Sequence, residues 1–269
     1  MANKSPAPIT RLIRALLLMK SRPLTYESMK IPRRLTMLKA SLCLLTAGTL
    51  HGLSVEAVPR RIILLRHAEK ANSHALCKTG LRRSIALRHH YLGRNALNPS
   101  LLEGQVPGGI VAITLHTIET AGQTAFSWGL PIKTYAAMPG ENGMIKPSVA
   151  NSATQEAASD VLGNSRWHDR IVLMFWEHHH IASPRLERQY AGEKVTLRQL
   201  LNIEHLENVP QAWEHNYDYF WVIDYDPDQS KIPIRFQMVK QTYPSPFDNL
   251  PHNGWGEDLP KDYPSSCLR

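Results

Sequence analysis

Six apolar residues, Ile171–Trp176, run without interruption into the polar cluster Glu177-His178-His179-His180. A run of this length that lacks alternation reads as a strand buried on both faces, the pattern of a parallel sheet covered by helices. A second such run, Arg61-Ile62-Ile63-Leu64-Leu65, ends in Arg66-His67. Strands are also expected at 109–115, 131–136, 219–224 and 232–239, the last two as a hairpin. Helices are expected from Thr79-Gly80 to Leu92, at 117–129, at 153–162 closed by Gly163, and at 196–203. Residues 138–151, with Pro139, Gly140, Gly143 and Pro147, read as a loop. Alternating strands and helices favour an α/β domain, a three-layer α/β/α arrangement with a mainly parallel central sheet. In the 79–92 helix, Leu81, Ile85, Tyr91 and Leu92 are taken as the inward face and the basic residues as the outward one.

Charge excludes one large class of function. The chain carries a formal +8, but residues 1–57 hold nine Lys/Arg against two acidic residues. The remainder is balanced, 22 against 21. A broad basic face for nucleic acid is therefore not expected in the folded body. Residues 1–57 read as a leader and 58–269 as the domain. Arg33, Arg34 and Lys39 precede or open the apolar run 38–50, and Val55-Glu56-Ala57 places small or apolar residues where a signal peptidase reads. The run is shorter than the roughly 20 residues of a membrane span. A periplasmic or secreted location follows, with membrane attachment only if the leader stays uncleaved. Met29 or Met37 would give a leader of more usual length. Export also permits a disulfide between Cys77 and Cys267; two free thiols is the alternative, and spacing does not decide between them.

If the two buried strands are parallel neighbours, one sheet edge presents an arginine and two histidines. A guanidinium binds phosphate oxygens as a fork, and a neutral imidazole is a competent nucleophile. Three histidines in a row rarely chelate one ion, because side chains at a strand end alternate in direction. No metal and no cofactor are expected.

Leu65-Arg66-His67-Ala68-Glu69-Lys70 resembles the signature of the histidine phosphatase (phosphoglycerate mutase-like) superfamily in its RHAEK form. Leu76 to Ser84 is similar to the helix start that follows in that family. Glu119-Thr120-Ala121-Gly122-Gln123-Thr124-Ala125 is similar to its Gln-Thr-Ala helix. Phe175-Trp176-Glu177-His178 resembles the strand that ends in the second core histidine, and Trp213 to Asp224 the closing strand. The match runs in order over nearly all of 61–224. It implies a phosphoglycerate mutase-like fold and a phosphomonoester hydrolase. His67 would carry a phosphohistidine, Arg66 would bind phosphate oxygens and His178 would stabilise the transferring group. Glu141 is the favoured general acid, with Glu177 beside His178 as the other candidate. The substrate would be a small phosphorylated molecule or a phosphorylated glycan. One position departs from the pattern, since Thr120 stands where the second core arginine belongs. His116 is the residue expected to lean in as a phosphate ligand; Arg82, Lys133 or Lys146 would otherwise bring the charge. Without compensation, the resemblance implies an impaired, phosphate-binding protein.

Overall fold

The computed structural model describes residues 57–268; the leader expected in 1–57 lies outside the described residues, apart from Ala57. Six strands form one mixed sheet in the order β3-β2-β4-β1-β5-β6. They are β1 (Arg61–Arg66), β2 (Gly109–Ala112), β3 (Ile132–Thr134), β4 (Ile171–Trp176), β5 (Tyr219–Tyr225) and β6 (Pro233–Lys240). Pairs β1–β4, β2–β4 and β2–β3 are parallel, whereas β1–β5 and β5–β6 are antiparallel, the latter as the expected hairpin. Both β1 and β4 are buried at every position, β4 through an unbroken apolar run and β1 through Ile62–Leu65 with a buried arginine at each end.

Period-two alternation splits the core into two layers. Ile62 and Leu64 of β1, with Val172, Met174 and Trp176 of β4, face one side, where α3 (Pro147–Gly163) packs through Ala153, Ala157 and Val161. Ile63 and Leu65, with Leu173 and Phe175, face the other, beside α1 (Lys78–Leu87) and α2 (Leu115–Trp128), through Leu87, Ala121 and Ala125. The result is helix, sheet, helix. Helix α3 begins inside the segment read as loop, because Pro147 at its first turn lacks only an N–H that no helix start can use. Short helices α4 (His178–Ile181), α5 (Pro184–Gln189) and α6 (Leu197–Leu200) follow β4. Among the described residues, no helix is long and apolar enough to cross a membrane.

Helix α1 corrects the expected face. Leu81 and Ile85 are exposed, while Arg83 and Ser84 are buried. Arg83 turns inward because Glu69, fully buried after β1, receives its Nε at 3.0 Å and Nη2 at 2.6 Å. An ion pair so placed needs its geometry complete, since either charge alone would be stranded. The contact also explains Gly80, where a Cβ would stand 2.2 Å from the Glu69 carbonyl oxygen.

Candidate active site at the edge of strands β1 and β4

The register of β1 against β4 builds the site. Arg66 pairs with Trp176, and the His67 N–H donates to the Trp176 carbonyl at 3.0 Å. The next residues, His67 and Glu177-His178, therefore leave the sheet side by side, at the carboxyl ends of parallel strands where ligands sit in such folds.

His67 is fully buried. Its Nδ1 lies 2.7 Å from the Ala68 carbonyl oxygen. A carbonyl only accepts, so Nδ1 carries the proton and the neutral ring keeps its lone pair at Nε2. That Nε2 has no partner, and neither does the buried Nε of Arg66. Burial first, then the charges of Arg66 and Lys70, hold the imidazole well below its ordinary 6.5. Arg66 spends its other nitrogens on the Glu214 carbonyl and on the Tyr217 hydroxyl at 3.2 Å, and its guanidinium lies 4.1 Å from the Tyr217 ring centre.

The three consecutive histidines separate as the backbone turns into α4. His178 faces His67, ring centres 5.8 Å apart. His179 lines the neighbouring cavity. His180 turns to Asn151, 3.0 Å away. Glu177 organises them, accepting from the His179 N–H at 2.9 Å and lying 2.6 Å from His178 Nδ1, a close contact without hydrogen-bond alignment. These surrounding donors and the positive site hold its carboxyl well below the carboxylate range despite burial. Burial, then Arg66, push His178 down to about 3, against the pull of Glu177.

His116 does lean in, its ring centre 5.7 Å from that of His67, with Nε2 bound to the Asn72 carbonyl at 2.8 Å. Thr120 brings no cation. Its hydroxyl donates to the His116 carbonyl at 2.7 Å and accepts from the Ala68 N–H at 2.9 Å. It thus fastens the backbone of Ala68, the residue whose carbonyl fixes the His67 tautomer. Of the proposed substitutes for the missing arginine, Lys133 pairs with Asp160 and Arg82 binds Pro246 and Asn249. Lys146 flanks α3 and is not among the cavity residues. The cation near His67 is instead Lys70, the last residue of the RHAEK segment, whose ammonium makes no hydrogen bond or ion pair among the described residues. Burial pushes its ammonium below the ordinary 10.5, with Glu177 pulling the other way. Glu141 is exposed on its loop and does not line the cavity; Glu177 is the one carboxylate that does.

A cavity of about 480 Å³ is lined by Lys70, His116, Glu177 and His179, whereas Arg66, His67 and His178 are not among its lining residues. The chain's C-terminal tail forms another wall. Cys267 is disulfide-bonded to Cys77, the Leu268 N–H donates to the Lys70 carbonyl at 2.7 Å, and Tyr263 stacks on Tyr217 with ring centres 6.4 Å apart.

Among the described residues, His67, Glu177 and His178 form the one group whose ligand atoms come close enough for a metal, within 4.8 Å of one another. Arg66 and Lys70 beside it favour an anion over a cation.

The depressed imidazoles set an expectation for stability. Five histidines (His67, His90, His116, His178, His179) lie below their unfolded value of 6.5. Below pH 6.5 the unfolded chain takes up protons that the native state refuses, so stability falls with pH from there toward about 3. The thermal midpoint is expected to drop steadily from pH 7 to pH 4. A midpoint that is flat or rises over that range would contradict the buried, neutral imidazoles.

Fold and site together define an α/β protein that places a buried imidazole and a buried guanidinium at the carboxyl end of a parallel strand pair. No family model and no curated protein matches the chain. Among solved structures it is similar to native mycobacterial glucosyl-3-phosphoglycerate phosphatase, at 14% identity over 68% of this chain and 98% of that one, with a TM-score of 0.37. The same phosphatase in complex with VO3 matches at 15% identity over 68% and 99%, TM-score 0.38. A protein described as mycobacterial hydrolase 1 matches at 13% over 68% and 98%, TM-score 0.39.

Proposed function

We propose that the protein is an exported phosphomonoester hydrolase working through a phosphohistidine on His67. The observation that carries this reading is the pair of unpartnered buried atoms, the His67 Nε2 lone pair and the Arg66 Nε donor, in the segment that resembles the superfamily signature. In the first step Nε2 forms a bond to phosphorus and the phosphorus–oxygen ester bond breaks. In the second, a water oxygen bonds to phosphorus, the Nε2–phosphorus bond breaks, and phosphate leaves. Arg66, His178 and Lys70 meet the charge on the transferring oxygens. A phosphate dianion entering this cluster raises its proton affinity. The proton taken up on Glu177 or His178 then passes to the leaving alkoxide, and Glu177 takes the proton of the attacking water. His116 contributes from α2.

The Cys77–Cys267 bond supports export, because disulfides persist in oxidising compartments. The competing reading is an impaired member that binds phosphate only, favoured by Thr120 in place of an arginine. Hydrolysis of p-nitrophenyl phosphate by residues 58–269 between pH 4 and 8 separates the two.

Lys70→Met tests the replacement cation. It should lower kcat by roughly 10²-fold, the usual cost of one charge-stabilising contact. Thermal stability should hold or rise, since a half-buried unpaired ammonium is lost. An unchanged kcat would remove Lys70 from the scheme.

A further inference from the structure

A second cavity, of about 290 Å³, lies where the chain enters β5, leaves β6 and continues into the irregular segment beyond it. It shares no lining residue with the cavity of His116 and Glu177. Asp218, the residue before β5, lines it and is 1% exposed, yet among the described residues neither carboxylate oxygen has a hydrogen-bond partner. The Lys240 ammonium comes only to 4.0 Å from Oδ2, a loose ion pair. Arg83 lines the same cavity. Its Nε is given to Glu69 and its Nη2 to Glu69 and the Pro251 carbonyl, but its buried Nη1 has no partner either. Burial pushes the Asp218 carboxyl above the ordinary carboxylate value, against the pull of Arg83, Lys240 and the backbone N–H groups of Asp218 and Asn253. Buried polar groups left unmade are costly, so a carboxylate and a guanidinium N–H together at one cavity call for a partner that answers both.

The signs of the charges select that partner. Arg83 and Lys240 beside the carboxylate oppose a cation, and Asp218 opposes an anion. A hydroxyl group carries no charge and both donates and accepts. Two neighbouring hydroxyls can donate to the two Asp218 oxygens while one of them accepts from Arg83 Nη1. Tyr243 and Phe247 line the same cavity and present aromatic surface to the C–H face of a saturated ring. The volume stands at the small end of ligand pockets and suits a single six-membered ring. Asp248 also lines the cavity but is exposed, so water screens its charge. We propose that this cavity is a second ligand site, for a small neutral cyclic polyol whose vicinal hydroxyls are held by Asp218 and Arg83, with Lys240 as a movable cover. The Lys240 side chain is 39% exposed and is the part able to swing aside. The proposal does not depend on the hydrolase reading.

The probes are myo-inositol and cyclohexanol, which share a six-membered carbon ring and differ in hydroxyl count. Each is titrated into the protein and followed by amide chemical shifts in NMR. Myo-inositol should bind with a Kd on the order of millimolar, as a ligand of its size allows, and should shift amides around Lys240 to Leu250. Cyclohexanol should bind about tenfold more weakly or worse, because it cannot engage both carboxylate oxygens and the guanidinium. Asp218→Asn keeps the shape and replaces one acceptor by a donor, so it should weaken myo-inositol by about tenfold. Phe247→Ala, at a partly exposed position, should weaken it severalfold without touching the buried pair. His67→Ala should leave the affinity unchanged. Absence of myo-inositol binding at roughly 50 mM, equal binding of cyclohexanol, an affinity that both Asp218→Asn and Phe247→Ala leave intact, or shifts confined to the surroundings of His116 and Glu177 overturns the proposal.

Discussion

His67→Ala is expected to lower kcat for p-nitrophenyl phosphate by roughly 10⁴-fold or more, as removal of a covalent nucleophile does elsewhere. The expectation follows from the wiring of the ring. Nδ1 is bound to the Ala68 carbonyl, so it is neither a free base nor a free nucleophile. Nε2 is buried and unpartnered, as is the Nε of the preceding residue, Arg66. Because burial and two cations keep the ring neutral, the lone pair is available well into the acid range. Acid-stable trapping would not capture a phosphoimidazole, so the intermediate is sought by rapid quench into alkali. Phosphorus NMR should place the phosphoryl group on Nε2. A label on Nδ1, or a variant that is folded and retains activity, would remove His67 from the role given to it.

Loss of the Cys77–Cys267 bond, by reduction or by the double Cys77→Ser/Cys267→Ser change, is expected to cost about 5 kcal/mol. The bond closes a loop of 190 residues, and the chain-entropy relation for loops of that length gives a value of this size. For a domain of about 200 residues the thermal midpoint should fall by roughly 10–20 °C. The tail it pins also walls the cavity through Leu268 and backs Tyr217 through Tyr263. KM for p-nitrophenyl phosphate should therefore rise in the variant at temperatures where it remains folded. Thermal unfolding with and without reductant, beside a thiol count, measures the first effect. A loss under about 1 kcal/mol would mean that strain or residual unfolded structure cancels the entropic gain.

The parts of this molecule that were legible in the sequence are those governed by local pattern. Two unbroken apolar runs declared the central strands β1 and β4, and the polar residues after each declared the sheet edge. What local pattern does not encode is the partner of a charged side chain. Arg83 looked like surface on α1 because its acid, Glu69, lies fourteen residues earlier in a loop whose path no periodicity reveals. Leu81 and Ile85 looked inward for the same reason, and are exposed. Lys70 belongs to the RHAEK segment itself, but the direction of its side chain depends on how the chain turns after β1. The disulfide is a similar case, since 190 residues of spacing say nothing about proximity. Glu141 is favoured in the sequence by the family resemblance of its Pro/Gly loop, whereas Glu177 lines the cavity because it directly follows a buried strand.

The covalent loop from Cys77 to Cys267 contains β2 through β6 and leaves out β1, the strand that carries Arg66 and His67. The turn between β5 and β6 exposes Asp228 and Gln229. A single cut there by a protease would leave both pieces joined through the disulfide. The two pieces of such a nicked molecule would be held by one covalent link, Cys77–Cys267, in addition to the pairing of β5 with β6.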